Sequence, residues 1–152
     1  MADSQAIGVI KHIAGGVLWS ERELFVFSDR LVLVREGWWQ TWLRYLTMQA
    51  GLIGMLIYGL GAKGRAKESE RRRRLSPEQL LASDPKGMQF VARDIVDAHL
   101  SGGRFEAKLR LSMADGSTRK LSWVSSANKY EQVEAILRTA LGTRLIDEKK
   151  AA

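Results

Sequence analysis

The chain has 152 residues, of which 45% are hydrophobic and 27% are charged, with 24 lysines and arginines against 17 aspartates and glutamates. This length suits one domain with a substantial core, and the composition is typical of a globular rather than a disordered protein. The absence of cysteine excludes disulfide bonds, thiolate metal sites and a cysteine nucleophile, and it fits a reducing compartment. The first residues do not resemble a signal peptide, so the sequence predicts a cytoplasmic protein.

The formal charge of +7 is concentrated in one segment of the chain. Residues 61–75 hold seven basic side chains against two acidic ones, which is a net +5 and leaves +2 for the rest. A surface that binds duplex DNA usually spreads its cations over a folded face, whereas a short contiguous cluster beside an apolar segment is typical of a membrane edge. The charge pattern therefore favours a membrane surface over nucleic acid.

Short strands are predicted in the first third of the chain. Residues 7–13 form a strand candidate that ends at Gly15-Gly16. Residues 24–27 and 31–34 are rich in valine, leucine and phenylalanine, and Ser28-Asp29-Arg30 between them favours a tight turn. These two runs predict a hairpin.

A second group of strands is predicted after residue 88. Residues 90–92 are a weak strand candidate, and residues 95–100 are a clearer one. From there, Phe105, Ala107, Leu109, Leu111 and Met113 alternate with polar residues, which predicts a strand with one dry face. The Asp115-Gly116 turn then leads into a partner strand at 119–124.

An amphipathic helix is predicted near the C-terminus. Asn128 with Glu131 three residues later forms a capping pattern, and Gly142 supplies a stop. The apolar side chains between them fall on one face: Tyr130, Val133, Ile136, Leu137, Ala140 and Leu141. This face is expected to cover the dry face that carries Phe105, Leu109 and Leu111, while Trp19 and Trp123 are expected in the core.

Four stretches together resemble bacterial pleckstrin-homology-like domains, which are relatives in shape of GRAM domains. They are Phe27-Ser28-Asp29-Arg30-Leu31-Val32, Phe90-Val91-Ala92-Arg93-Asp94-Ile95, the Asp115-Gly116 turn and Leu141-Gly142-Thr143-Arg144-Leu145. The resemblance covers residues 17–36 and 88–145. It implies an α+β fold, an antiparallel β-barrel or two bent sheets capped by the C-terminal amphipathic helix, and a role in membrane recruitment or as an adaptor.

Residues 37–75 form an apolar and then basic helical insertion after the first hairpin, within a single domain of residues 1–152. The run 45–62 is uncharged over 18 residues and would be about 27 Å long as a helix, just enough to span a thin bilayer. A spanning helix would place two parts of one small β domain on opposite sides of the membrane. A re-entrant helical pair or a helix in the interface would keep them together.

The helical wheel of this insertion has a face of small residues. Gly51, Gly54, Tyr58 and Gly61 lie on it, and small residues let another backbone approach closely. Self-association through these residues is the resulting prediction. Two alternatives remain open, namely a helix buried in a larger protein assembly and a helix that completes the core of its own domain.

The predicted lipid-binding residues are the tryptophans at the head of the insertion and the cations along it. Indole rings favour the headgroup level, and basic clusters bind anionic lipid. The set is Trp38, Trp39, Trp42, Arg44, Lys63, Arg65, Lys67, Arg71, Arg72, Arg73 and Arg74. In the alternative interpretations, Trp38 and Trp42 belong to the core and the arginine run is only solvated. Ser76 and Pro77 then begin a short helix that ends at Ala82.

No pattern in the chain indicates catalysis. His12 and His99 lie on different predicted strands without a partner at metal-ligand spacing, and Asp94 and Asp97 fit the outer face of a hairpin. We therefore expect no enzyme, no metal, no cofactor and no small-molecule substrate.

The predicted function is a non-enzymatic adaptor that associates with a membrane or with copies of itself. The expected partners are an anionic membrane surface and a homo-oligomer or another protein, and the expected location is peripheral, at the inner face of the cell membrane. Two alternatives remain: a nucleic-acid-binding protein that uses the arginine run, and a soluble structural component of a larger assembly.

Overall fold

A computed structural model describes residues 5–14, 21–35 and 70–151 of the chain. The strands are β1 (Gly8–Ala14), β2 (Glu21–Val26), β3 (Arg30–Arg35), β4 (Met88–Val91), β5 (Ile95–Gly102), β6 (Glu106–Met113), β7 (Thr118–Val124) and β8 (Leu145–Asp147). The helices are α1 (Pro77–Ser83), α2 (Tyr130–Leu141) and α3 (Glu148–Ala151), and residues 70–73 are also helical. The α+β class and the C-terminal helix are confirmed.

The eight strands form one sheet in the order β4-β3-β2-β1-β7-β6-β5-β8. All described pairings are antiparallel except that of β5 with β8, which is parallel. The junction of β1 with β7 rests on a single register pair, Ile13 with Trp123. We call β1–β4 the first half of the sheet and β5–β8 the second half. The sheet is not closed, so the barrel alternative is wrong.

The main core lies between the two halves of the sheet and α2. We call it the inner cluster, and it includes Ile10, Leu24, Leu33, Leu100, Leu109, Leu111, Trp123, Val133, Leu137 and Leu141. The helix buries its predicted apolar stripe here, and Trp123 is only 3% exposed, so the core prediction for Trp123 is confirmed. The prediction for Phe105 is wrong because this side chain precedes β6 and is 76% exposed.

The predicted cap of α2 is replaced by a different use of Asn128. The helix begins after Lys129, and no side chain caps it. The Asn128 amide instead accepts from the Lys11 N–H at 3.0 Å and donates to the Lys11 carbonyl at 2.8 Å. The register of β1 with β2 shifts between Ile10 and Ile13, where His12 has φ 60°. Asn128 thus satisfies backbone groups that the bulge in β1 removes from the ladder.

Helix α2 approaches β1 very closely at Gly8. A Cβ atom at this position would lie 2.5 Å from Cδ1 and 2.8 Å from Cγ1 of Ile136. These distances are shorter than any normal carbon–carbon contact, so a side chain here would require the helix or Ile136 to move. The glycine therefore sets how deeply α2 packs against the sheet.

Strands β2 and β3 are buried on both faces. Phe25, Phe27, Val32 and Val34 point away from the inner cluster and pack with Leu80 of α1; we call this group the outer cluster. Helix α1 begins with the predicted cap, since the Ser76 hydroxyl accepts from the Gln79 N–H and the Gln79 side chain accepts from the Ser76 N–H. The segment that follows the insertion is therefore part of the folded domain.

The C-terminal elements β8 and α3 were not predicted from the sequence. Strand β8 pairs in parallel with β5, and its Asp147 is buried. The Tyr130 hydroxyl lies 2.5 Å from Oδ1 of Asp147 and 3.2 Å from the Leu100 carbonyl. Burial of the phenol and its hydrogen bond to Asp147 raise the pKa of Tyr130 above its ordinary value of 10.0.

The two ends of the sheet differ in how they are connected. At one end, which we call the closed end, the Ala92 N–H donates to the Asp29 carbonyl and the Ala114 N–H donates to the Asp94 carbonyl, each at 2.8 Å. Arg144 adds a hydrogen bond to the Ala92 carbonyl. These contacts tie together the β2–β3, β4–β5 and β6–β7 connections.

Candidate functional site

The opposite end of the sheet is where the insertion joins the domain. The register places Ala14 opposite Glu21 and Arg22 opposite Arg35, so β1 ends, β2 begins and β3 ends at the same edge. On the other side of β1, Trp123 of β7 pairs with Ile13, one residue before this edge. We call this edge the insertion end.

Arg72 fixes the basic segment to the insertion end. Its Nη1 donates to Oε2 of Glu23 at 3.0 Å, and its Nη2 donates to the Arg35 carbonyl at 3.1 Å. The guanidinium carbon lies 5.5 Å from the centroid of the Phe25 ring. Both charged side chains are at least nine-tenths buried, so this pair is held in place by packing as well as by charge.

The other three arginines of the run are exposed. Arg71, Arg73 and Arg74 surround the buried Arg72 on one helical turn and the bend that follows it. Arg74 also makes a weak contact with Glu70, 3.9 Å between Nη2 and Oε1, in which both side chains are largely exposed. The structure thus removes Arg72 from the set of cations that a lipid surface could contact and presents Arg71, Arg73 and Arg74 together.

Glu23 is the residue that the sequence interpretation missed at this site. It lies two residues before Phe25 on the same face of β2, and that face is covered by the outer cluster. A buried carboxylate requires a cation, because a buried unpaired charge is very costly. Glu23, directly before the apolar run of β2, was therefore the signal in the sequence that one arginine of the run would turn inwards.

Most of the predicted site residues lie outside the described part of the chain. They are Trp38, Trp39, Trp42, Arg44, Lys63, Arg65 and Lys67 for lipid binding, and Gly51, Gly54, Tyr58 and Gly61 for self-association. The same holds for Trp19 and for the predicted helix within 45–62. These assignments stay predictions. Within residues 5–14, 21–35 and 70–151, no helix is long and apolar enough to cross a bilayer.

The second half of the sheet carries an open groove of about 420 Å³ on its outer face. His99 lies there between two carboxylates, 3.5 Å from Asp97 and 3.2 Å from Glu148. Arg110 and Lys120 are cross-strand neighbours along the same groove. Among the residues that the structure describes, no three His, Asp or Glu side chains are grouped as metal ligands would be.

Both acidic and basic side chains line this groove, so it has no surface of one charge. We therefore locate the candidate site at the insertion end, where the buried Arg72 positions three exposed cations. Comparison with protein-family models finds none that matches the chain, and comparison with curated proteins finds no similar sequence.

Proposed function

We propose that this protein is a pleckstrin-like module that attaches to anionic membranes through its insertion end. The observation that carries the proposal is the buried ion pair of Arg72 with Glu23, which holds Arg71, Arg73 and Arg74 outside the fold at the edge where the insertion leaves the sheet. Two sheet halves around a C-terminal helix are compatible with the pleckstrin-like resemblance. The tryptophans and glycines of the insertion would supply the apolar contact and self-association.

The expected energetics follow from the number of exposed cations. Each basic residue near an anionic bilayer contributes about 1 kcal/mol, so three contribute about 3 kcal/mol, or a factor of about 100 in the partition coefficient. Salt screens this attraction because the cations are exposed. Binding to anionic vesicles should therefore weaken strongly between low and physiological salt.

Vesicle flotation tests the proposal with a matched pair of charge reversals. The test variant is Arg71→Glu/Arg73→Glu/Arg74→Glu, and the control is Arg93→Glu/Arg119→Glu/Lys120→Glu, which makes the same change of net charge in the β4–β5 connection and on β7. The proposal predicts that anionic vesicles carry the wild type and the control upwards but lose the test variant. Equal loss in both variants would show only a response to net charge and would contradict a defined binding end.

The same samples address the nucleic-acid alternative. If the arginines bind phosphates of DNA or RNA, a salt-sensitive mobility shift should appear with duplex DNA or single-stranded RNA and should survive deletion of residues 38–60. Such a shift, together with no flotation on any vesicle, would replace the membrane proposal. Discrete oligomers without lipid and without flotation would instead favour a structural component of an assembly.

A further inference from the structure

The open groove on the outer face of the second half of the sheet has an uneven distribution of charge. Its volume of about 420 Å³ is in the range of pockets that hold small organic ligands. Besides His99, its charged lining consists of three basic side chains and two acidic ones, namely Lys108, Arg110, Lys120, Glu106 and Glu148. What the groove can bind depends on which of these charges already have a partner.

The acidic side chains of the groove already have partners. Oε2 of Glu106 lies 3.2 Å from Nζ of Lys108, so these two charges compensate each other. Oε1 of Glu148 lies 3.2 Å from Nδ1 of His99, and Asp97 approaches the other ring nitrogen at 3.5 Å. Two carboxylates thus share one imidazole, which makes the β5 side of the groove acidic.

Arg110 and Lys120 are the two cations of the groove that lack a carboxylate. They lie directly opposite each other on β6 and β7, so their Cβ atoms are about 5 Å apart. Both side chains are exposed, and among the described residues neither has an ion pair or a hydrogen bond. Like charges in directly opposite positions destabilise a sheet, and an anion bound between them would remove the repulsion.

A hydroxyl and the third cation lie beside this pair on the same face. Lys108 is two positions before Arg110, Ser122 is two positions after Lys120, and Lys108 and Ser122 are themselves cross-strand partners. The four side chains therefore start from the corners of a rectangle of about 5 Å by 7 Å. The Ser122 side chain is half-buried, and within the described part of the chain its hydroxyl has no hydrogen-bond partner.

A phosphate group fits this arrangement better than a carboxylate. A phosphomonoester carries a charge of about −1.5 to −2 at neutral pH and has three acceptor oxygens. It can neutralise both unpaired cations and accept a hydrogen bond from Ser122, whereas a carboxylate would leave one cation uncompensated. The acidic β5 side repels an anion and so restricts the phosphate to β6 and β7. The remaining volume of the groove leaves room for the organic part of a ligand.

We propose that this groove binds the phosphate group of a soluble phosphorylated small molecule through Arg110, Lys120 and the Ser122 hydroxyl. The site goes beyond the proposed function, because it lies on the outer face of β6 and β7 and uses none of the arginines at the insertion end.

Thermal unfolding of the full chain with inorganic phosphate tests the site. At fixed ionic strength, phosphate should raise the unfolding midpoint relative to chloride, because a ligand that binds only the folded state stabilises it. Arg110→Gln/Lys120→Gln should lose this shift. The control Lys86→Gln/Arg93→Gln removes two exposed cations outside the groove and should keep it. Phosphate also stabilises folded proteins by exclusion from their surface, and that smaller effect is common to both variants.

Amide chemical shifts locate the bound phosphate and give its affinity. Saturable changes should be confined to β6, β7 and the residues around them. Lys120→Gln should weaken the dissociation constant about tenfold or more, which is what the loss of one hydrogen bond to a charged group produces.

Lys120→Glu separates a binding role from a structural one. The change replaces repulsion across the strands with attraction to Arg110, so at low salt and without phosphate the unfolding midpoint should rise by about 2 °C. The phosphate response should disappear in the same variant. A lower midpoint without phosphate would show that Lys120 supports the fold, and it would contradict the repulsion on which the inference depends.

The remaining outcomes separate this inference from the proposed function. If Arg110→Gln/Lys120→Gln responds to phosphate as its control does, or if the shifted amides lie at the insertion end, the site is refuted and the proposed function stands. The same double variant should float on anionic vesicles like the wild type. Loss of its flotation would assign the phosphate to a lipid headgroup and would contradict a soluble ligand.

Discussion

At the scale of single residues, the side chain of Arg72 determines how its neighbours can act. An isolated run of four arginines would be mobile and would lose entropy on binding to any surface. Here the second arginine is buried against Glu23, Phe25 and the Arg35 carbonyl, so the helical turn is already fixed before a partner arrives. Pre-organisation of this kind lowers the cost of binding for the three that remain exposed.

Removing one member of this pair should therefore be costly. Glu23→Ala leaves the Arg72 guanidinium buried without its carboxylate, and we expect a loss of about 3–5 kcal/mol in the free energy of unfolding. Denaturant titration followed by circular dichroism measures this loss. The exposed neighbour provides the control, since Arg73→Met should change the stability by no more than about 0.5 kcal/mol.

Replacing both members tests whether the pair is needed for stability. Glu23→Leu/Arg72→Met substitutes apolar side chains of similar length, and this double variant should recover most of the stability lost in Glu23→Ala. If the double variant is as unstable as the single one, the pair itself stabilises the fold, contrary to our expectation. A Glu23→Ala variant as stable as the wild type would mean that water replaces the carboxylate as the partner of Arg72, contrary to our expectation.

Single residues were also the hardest to predict from the sequence. Asn128 fits a capping pattern with Glu131, yet its amide binds the backbone of Lys11, which is 117 positions away. Phe105 fits the alternation of β6, yet the turn closes at Gly103 and Glu106 and puts the ring outside. The first error arises because a local pattern does not show which distant backbone groups lack a partner, and the second because alternation does not show where a strand begins.

At the scale of elements, the contact between α2 and β1 sets the depth of the inner cluster. The helix is amphipathic and buries Val133, Leu137 and Leu141, so its position is determined by how closely its apolar face can approach the sheet. At Gly8 the side chain of Ile136 packs directly against the backbone of β1. The side chain of Ile136 fills the space that any other residue at position 8 would occupy.

Adding one methyl group at this contact should be destabilising, and a smaller partner should relieve it. Gly8→Ala places Cβ against Ile136, for which we expect a loss of about 1–3 kcal/mol in the free energy of unfolding. Gly8→Ala/Ile136→Ala should be more stable than the sum of the two single changes predicts. A double-mutant cycle by denaturant titration measures this coupling, and additive losses would contradict the close contact.

Elements with a local sequence pattern were predicted correctly, and elements without one were missed. Strands β2, β3, β5, β6 and β7 and helices α1 and α2 follow from alternation, turn residues and periodicity, and all are present. Strand β8 has only three residues, which is too short for a periodic signal. The continuous apolar runs of β2 and β3 are buried on both faces, which the sequence analysis did not predict because it looked for alternation.

At the scale of the whole molecule, the described residues form two hydrophobic clusters. The inner cluster joins both halves of the sheet with α2, and the outer cluster joins β2 and β3 with α1. Arg72 bonds to the Arg35 carbonyl, so the chain leaves and re-enters the domain at neighbouring points. We therefore expect the domain to fold without residues 37–69.

Replacing residues 37–69 with a flexible Gly/Ser linker should leave a folded protein that binds anionic vesicles more weakly than the wild type, because it keeps Arg71, Arg73 and Arg74 but lacks the tryptophans of the insertion. A linker of about eight residues has a mean span of about 16 Å, which is ample for neighbouring ends. We expect a cooperative thermal transition and a near-ultraviolet circular dichroism signal from Trp123. A product without a cooperative transition that binds hydrophobic dyes would show that the insertion completes the core.

The edges of the sheet bear on how copies of this protein can meet. Its two outermost strands are the shortest, with four residues in β4 and three in β8, and β8 runs directly into α3. Edge strands this short offer few free amide and carbonyl groups for pairing with a neighbouring chain. We therefore expect that no oligomer forms by pairing of β4 or β8 with another copy. Any oligomer should dissociate when the part of the insertion that contains Gly51, Gly54 and Gly61 is removed.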